Sequence, residues 1–237
     1  MIQYLQQVKS EKRNQITYLE FVAIHDKPGA VVLLEGKREV PAEDQDRLRA
    51  LGRLVAAGTK QITFRSGNAE GSDHFFSEGV AGVDPKRLQV ITPYSGHRSK
   101  TNLAHETVAL DQINLLAEQE VVYQSKSNKK TEKLIDRFVA GDHDRFTIKA
   151  AYILRDTVKA IGTKDVKPAT FGIFYDDLIN PRSGGTGHTM QVCEANGIPL
   201  IDQRVWMGWL MENLSRIEFQ NPEKRFVNAV FDHQNRV

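Results

Sequence analysis

Two glycine-rich segments hold the residues best suited to chemistry: Ser66-Gly67-Asn68-Ala69-Glu70-Gly71-Ser72-Asp73 and Ser183-Gly184-Gly185-Thr186-Gly187-His188-Thr189. The second places three glycines and three hydroxyls within seven residues. Glycine lets a backbone approach a phosphate without a clashing side chain. A helix that opens at such a loop adds unpartnered N–H groups and the positive end of its dipole. The chemistry these residues point to is the cradling of a phosphate in one pocket. The second loop is not a Walker A loop, since no Gly-Lys-Ser/Thr ends it, and the third glycine of G-x-G-x-x-G is missing.

The polar side chains around the loops each carry two readings. Ser72 and Asp73 are either helix N-caps or ligand contacts, and the two roles can coexist. Glu70 and Asp73 suit ribose hydroxyls or Mg²⁺, but two acids alone are a weak metal signal, and no metal is expected. His188 is either an acid/base group beside the loop or a hydrogen-bonding loop histidine. Arg155 offers its planar fork to a phosphate or to a neighbouring acid. Arg38 and Arg98 follow strand ends and either line the pocket or lie on the surface. Catalytic residues are not assigned by these patterns; His188, Glu70 and Asp73 are the candidates. Cys193 lacks a base among its sequence neighbours and reads as a small buried hydrophobe.

The elements that must position these residues alternate. The short apolar run Ala30–Leu34 reads as a strand buried on both faces, and Gln61–Phe64, Leu88–Thr92 and Phe171–Tyr175 read as further strands. Helical spacing appears at Leu48, Leu51, Leu54 and Val55, and again at Ala151, Leu154, Val158 and Ile161. Strand, loop and helix in alternation give an α/β fold: a three-layer sandwich around a mostly parallel sheet of about five or more strands. Pro199 places the run Ile198–Ile201 at a sheet edge or puts the proline at its start. His105–Glu118 has helical spacing, Leu134–Val139 reads as a short helix, and Lys126–Lys130 as a basic, solvated loop. The patch Ile16–Ile24 is either a strand or a helix. Trp206 and Trp209 pack a C-terminal helix on the domain or form a dimer contact, so a homo-oligomer stays open.

Bulk properties exclude several classes. Hydrophobic residues at 40% and charged residues at 26% make an ordinary globular balance. A formal charge of +2 gives no electrostatic case for nucleic acid or an anionic membrane. One cysteine, no apolar run long enough to span a bilayer and no secretion signal lead to the expectation of a cytoplasmic protein.

The loops also resemble a family. Ser66–Asp73 resembles the S-G-x-A-x-G-x-D loop of the SLOG superfamily, the Rossmann-like group with DprA/SMF and LOG branches. Glu35-Gly36-Lys37-Arg38 resembles its G-[ST]-R loop, with lysine at the hydroxyl position. Arg155-Asp156 is similar to the R-[ND] pair of several branches, and Gly184–Thr189 to the terminal G-G-x-G-T loop. The resemblance implies a Rossmann-like domain over 29–204 with a helical insertion at about 100–145. An N-terminal extension (1–28) precedes it, and a C-terminal helix and tail (205–237) follow. It implies a ligand site at Gly36, Arg38, Ser66, Gly67, Ala69, Glu70, Gly71, Asp73, Arg155, Gly184, Gly185, Thr186, Gly187, His188 and Thr189. The expected function is binding of a nucleotide or nucleotide-derived phosphate, as a sensor or accessory module, with no other cofactor. The alternative is a hydrolase of nucleotide N-glycosidic bonds. The glutamate that assists this cleavage in LOG enzymes falls at Gln191, which cannot exchange a proton. Single-stranded DNA binding is the third reading, and the near-neutral charge leads to the expectation that nucleic acid is not a partner.

Overall fold

The computed structural model describes residues 16–219. The first 15 residues of the N-terminal extension and the tail after 219 lie outside the described residues. Six strands form the sheet: β1 (Val31–Gly36), β2 (Thr63–Ser66), β3 (Leu88–Thr92), β4 (Glu106–Ala109), β5 (Phe171–Tyr175) and β6 (Leu200–Ile201). Every adjacent pair is parallel, and the order is β4-β3-β2-β1-β5-β6. β1 occupies the centre with its first five residues buried, which is why its sequence is a continuous apolar run rather than an alternating one.

Helices cover both faces: α1 (Tyr18–His25), α2 (Ala42–Gly58), α3 (Ser72–Ala81), α4 (Gln119–Ser125), α5 (Lys129–Val139), α6 (Ile148–Ile161), α7 (Gly184–Ala195) and α8 (Gln203–Phe219). One face packs α1, α2, α3 and α8 on Val32, Leu34, Phe64 and Ile173 through Phe21, Leu51, Phe76 and Trp206. On the other, Met190 and Cys193 of α7 meet Leu33 and Phe174, while α4, α5 and α6 cluster around Ile91. A parallel sheet sandwiched between helix layers is a Rossmann-like α/β fold.

The ambiguous N-terminal patch is helix α1, started by a reciprocal capping box between Thr17 and Glu20. Both tryptophans are buried within the chain: Trp206 donates to the carbonyl of Phe174 and Trp209 to that of Ile16. The helical spacing over His105–Glu118 does not make a helix. That stretch forms strand β4 and two 3₁₀ turns, Leu110–Gln112 and Leu115–Ala117. β4 is a four-residue edge strand whose first two residues are exposed, so it lacks the apolar signal of its neighbours. The basic loop is shorter than its sequence implies, because Asn128 caps α5 and Lys129 and Lys130 open that helix.

The chain leaves β1 toward β2, β3 and β4 on one side, and β5 and β6 lie on the other. The strand order therefore reverses between β1 and β5, where Gly36 pairs in register with Tyr175. Open α/β sheets leave a crevice at the carboxyl ends of the strands at such a reversal.

Candidate functional site

A cleft of about 640 Å³ opens at that reversal, within the size range of small-molecule sites. Its walls come from five segments far apart in sequence: the end of β1, the loop into α3, the start of α5, one face of α6, and the loop into α7. A second depression of about 490 Å³ lies beside β6. Its charged groups are consumed by local pairs, Arg182 with Glu194 and Arg204 with Asp202, so it offers no comparable convergence.

The first glycine-rich loop is a brace. The Asp73 carboxylate accepts from the N–H of Gly36 at 3.3 Å, Gly67 at 3.0 Å and Ala69 at 3.4 Å. Neither Ser72 nor Asp73 is the N-cap of α3: the cap is Gly71, at φ 76°, and it makes no side-chain cap bond. The chain after β1 passes directly over this helix start. The N–H and hydroxyl of Ser72 both donate to the carbonyl of Lys37, at 3.2 and 2.6 Å. A Cβ on Gly71 would stand 2.0 Å from the carbonyl oxygen of Arg38. The N-terminus of α3 is thus covered by backbone.

The second loop is open. β5 runs into Asp176, whose carboxylate accepts from the N–H of Arg182 and fixes the turn. Gly187 N–H bonds to the carbonyl of Ser183 at 3.0 Å, and a Cβ on Gly187 would meet the Arg182 carbonyl oxygen at 1.8 Å. Glycine there is a packing requirement. Ser183 makes no side-chain cap bond at the start of α7. Gly184 (φ 61°) and Gly185 are exposed on the cleft wall. The first amides of α7 therefore face the cleft without a side-chain cap, as an anion site requires.

Beneath this loop runs a chain of buried charges. Asp156 Oδ1 accepts from Nε and Nη2 of Arg155 at 3.0 and 2.6 Å and lies 2.9 Å from Lys159 Nζ. Lys159 Nζ is 2.7 Å from Glu35 Oε2, and the Thr189 hydroxyl donates to Glu35 Oε1 at 2.9 Å. Arg155 Nη1 continues to the carbonyl of Gly67 at 2.8 Å. Burial raises the Glu35 carboxyl to about 7; Lys159 opposes the shift, and Asp156 and Asp73 add to it. Burial works the same way on Asp156, but Arg155 and Lys159 outweigh it and hold that carboxyl below its usual range.

His188 Nε2 lies 2.9 Å from the Thr157 hydroxyl. Burial, with Lys159 adding, pushes its pKa down against the pull of Asp156, so it is a neutral imidazole near pH 7. Burial raises the Cys193 thiol to about 12, in keeping with a packing residue.

No family model and no curated protein matches the sequence. Among solved structures, the chain is similar to DNA processing protein A from Helicobacter pylori. Identity is 15%, coverage is 76% of this chain and 67% of that one, and the TM-score is 0.39. That structure describes a single-stranded DNA binding mode of that protein. The expectation that nucleic acid is not a partner is withdrawn on this finding. Physically, the net charge is a sum over the whole chain and is blind to local clustering: Lys37, Arg38 and Lys149 all border the cleft. No helix among the described residues is long and apolar enough to cross a membrane.

Of the residues expected at the site, Gly36, Arg38, Ala69, Asp73, Arg155, Gly184, Gly185, Thr186 and His188 line the cleft. Ser66 lies behind the loop, its hydroxyl accepting from the Asn68 N–H. Gly67, Gly71, Gly187 and Thr189 are spent on packing and on the bonds described above. Glu70 stands exposed at the rim, ion-paired with Arg98. Residue patterns single out neither the Glu35 carboxyl, nor Lys159, nor Tyr152. The available signal for Lys159 was its spacing from Arg155 and Asp156, which puts three charges on one face of a helix that is otherwise apolar there.

Proposed function

We propose that this chain binds a nucleotide or a nucleotide-derived phosphate in the cleft between β1 and β5, as a sensor or accessory module of the SLOG type. The observation that carries the reading is the uncapped start of α7, with Gly184 and Gly185 exposed to the cleft and Lys37, Arg38 and Lys149 bordering the same space. The phosphate sits on the amides of Gly184–Thr186. Asp156 Oδ2 is 3.0 Å from the position of a Gly185 Cβ, while Oδ1 is the oxygen engaged by Arg155 and Lys159. A carboxylate oxygen so placed accepts a ribose hydroxyl, which favours a sugar phosphate over inorganic phosphate.

One observation favours a second reading, hydrolysis of the N-glycosidic bond. Glu35, a buried carboxyl on the cleft wall raised to about 7, exchanges its proton in the range of neutral pH. In that reaction water adds to the anomeric carbon as the carbon–nitrogen bond breaks, the base departs with a proton from the protein, and the proton released by the water returns to the protein. Gln191, the position of the LOG glutamate, is exposed on α7 and does not line the cleft.

A thermal-shift series with nucleoside monophosphates, dinucleotides and nucleotide sugars, each mixture chromatographed for released base, tests both readings. Stabilisation without product supports the binding module, since a native-state ligand raises the melting temperature by mass action. Released base establishes the hydrolase. No shift with any compound contradicts both.

A further inference from the structure

One aromatic ring lines the cleft in a place the phosphate chemistry does not use, and two more pack behind it. The lining ring is Tyr152 of α6. His97 meets the Tyr152 ring edge-on, with centroids 5.8 Å apart and planes at 80°. Tyr94 in turn meets His97 edge-on at 5.0 Å. The Arg155 guanidinium lies over one face of the Tyr152 ring, 5.5 Å from its centroid, so a ligand ring would use the other face. The ring is thus oriented by neighbours from two segments, α6 and the loop after β3. Arg155 does not depend on it, because Asp156 and the Gly67 carbonyl already take up its fork.

Position gives this cluster its meaning. Tyr152 precedes Asp156 by four residues, one helical turn, so the ring lies about 6 Å along α6 from the carboxylate beside Gly185. That carboxylate borders the loop on which the phosphate sits, so phosphate loop, carboxylate and aromatic ring follow one another along a single wall. Phosphate, ribose and base follow one another in the same order in a nucleotide. Arg38 lines the same cleft as Tyr152, which adds a guanidinium to the space around the ring.

We infer that Tyr152, positioned by Tyr94 and His97, is the stacking surface for the base of a mononucleotide whose phosphate lies on Gly184–Thr186. The inference rests on the phosphate site proposed above and adds to it the chemical class of the group at the far end. A flat π-face stacks every base, so the subsite distinguishes a nucleotide from a bare sugar phosphate more sharply than it distinguishes one base from another.

Calorimetric titration of the full chain with AMP and with ribose 5-phosphate tests this. The unmodified protein should bind AMP about 10-fold or more tightly than ribose 5-phosphate, the scale of one stacked base. Tyr152→Ala should abolish most of that preference and leave ribose 5-phosphate affinity unchanged, while Tyr152→Phe should keep it. Tyr152→Leu, which retains bulk without a π-face, should behave as Tyr152→Ala and serves if the alanine variant does not fold. Equal affinity for AMP and ribose 5-phosphate would overturn the stacking site and leave the phosphate site standing. Loss of both ligands together in folded Tyr152→Ala or Tyr152→Leu would show the ring to be structural and overturn the inference. Failure of both compounds to bind the unmodified protein would overturn the phosphate site and the stacking site together.

Discussion

Arg155 Nη1 donates to the carbonyl oxygen of Gly67 across 88 positions of sequence, at 2.8 Å. The N–H of the same glycine is held by Asp73 at 3.0 Å, so Gly67 is clamped from α6 on one side and α3 on the other. A Cβ at this position would come 2.8 Å from Arg155 Nη1. The loop after β2 is therefore a fixed wall of the cleft, tied to the charge chain beneath the open end of α7.

Arg155 makes its bonds with a planar fork that lysine cannot copy. Arg155→Lys keeps the charge but leaves the Gly67 carbonyl unpaired, at a cost of about 1–3 kcal/mol. Arg155→Ala leaves the buried Asp156 with Lys159 as its one remaining cation and also empties the site of the side chain, so it should cost more, about 3–5 kcal/mol. Urea unfolding of the two variants should show that order, and equal losses would contradict the clamp.

The glycines of the second loop should separate stability from binding. Gly187→Ala drives a methyl into the Arg182 carbonyl, 1.8 Å away, and should lower the melting temperature by several degrees. Gly185→Ala meets only the Asp156 carboxylate at 3.0 Å. It should leave the fold largely intact while weakening phosphate binding, because the methyl enters the cleft. Melting curves with and without ribose 5-phosphate check both halves.

Glu35 sets a pH dependence whose sign is fixed. Its carboxyl rises from 4.5 in the unfolded chain to about 7 in the folded one. Over that window the native state keeps a proton the unfolded state has released, so this group's contribution to stability falls as pH rises. Glu35→Gln removes the effect, and the stability of the variant relative to the parent should climb between pH 4.5 and 7 and level off above. The lowered His25, His97 and His188 act with the opposite sign near their usual 6.5, but they are present in both proteins and cancel in the difference. A flat difference across the window would contradict the raised carboxyl.

Much of this arrangement was legible before the fold. Strands β1, β2, β3 and β5 announce themselves because helices cover both their faces, and glycine-rich loops announce themselves because backbone freedom is a local property. Pro199 correctly marks an edge, since β6 ends the strand order. β4 was hidden because exposure at Glu106 and Thr107 erases the burial pattern that strand reading depends on. The covering of the α3 start by Lys37 and Arg38 depends on the path of a loop, which residue types do not encode. The pairing of Glu35 with Lys159 joins a central strand to a helix packed above it, and only the rotation of α6 brings the two together. Tyr152 reads as one more half-apolar helix position until His97 and Tyr94 are placed beside it.

The central claim is that a phosphate ester lies on the open start of α7. Backbone amide resonances of isotope-labelled protein, followed as AMP is added, test it most directly. The account predicts saturable shifts at Gly184, Gly185 and Thr186, with Gly197 at the far end of the same helix unmoved. Unchanged Gly184–Thr186 resonances in folded protein at millimolar AMP would contradict it.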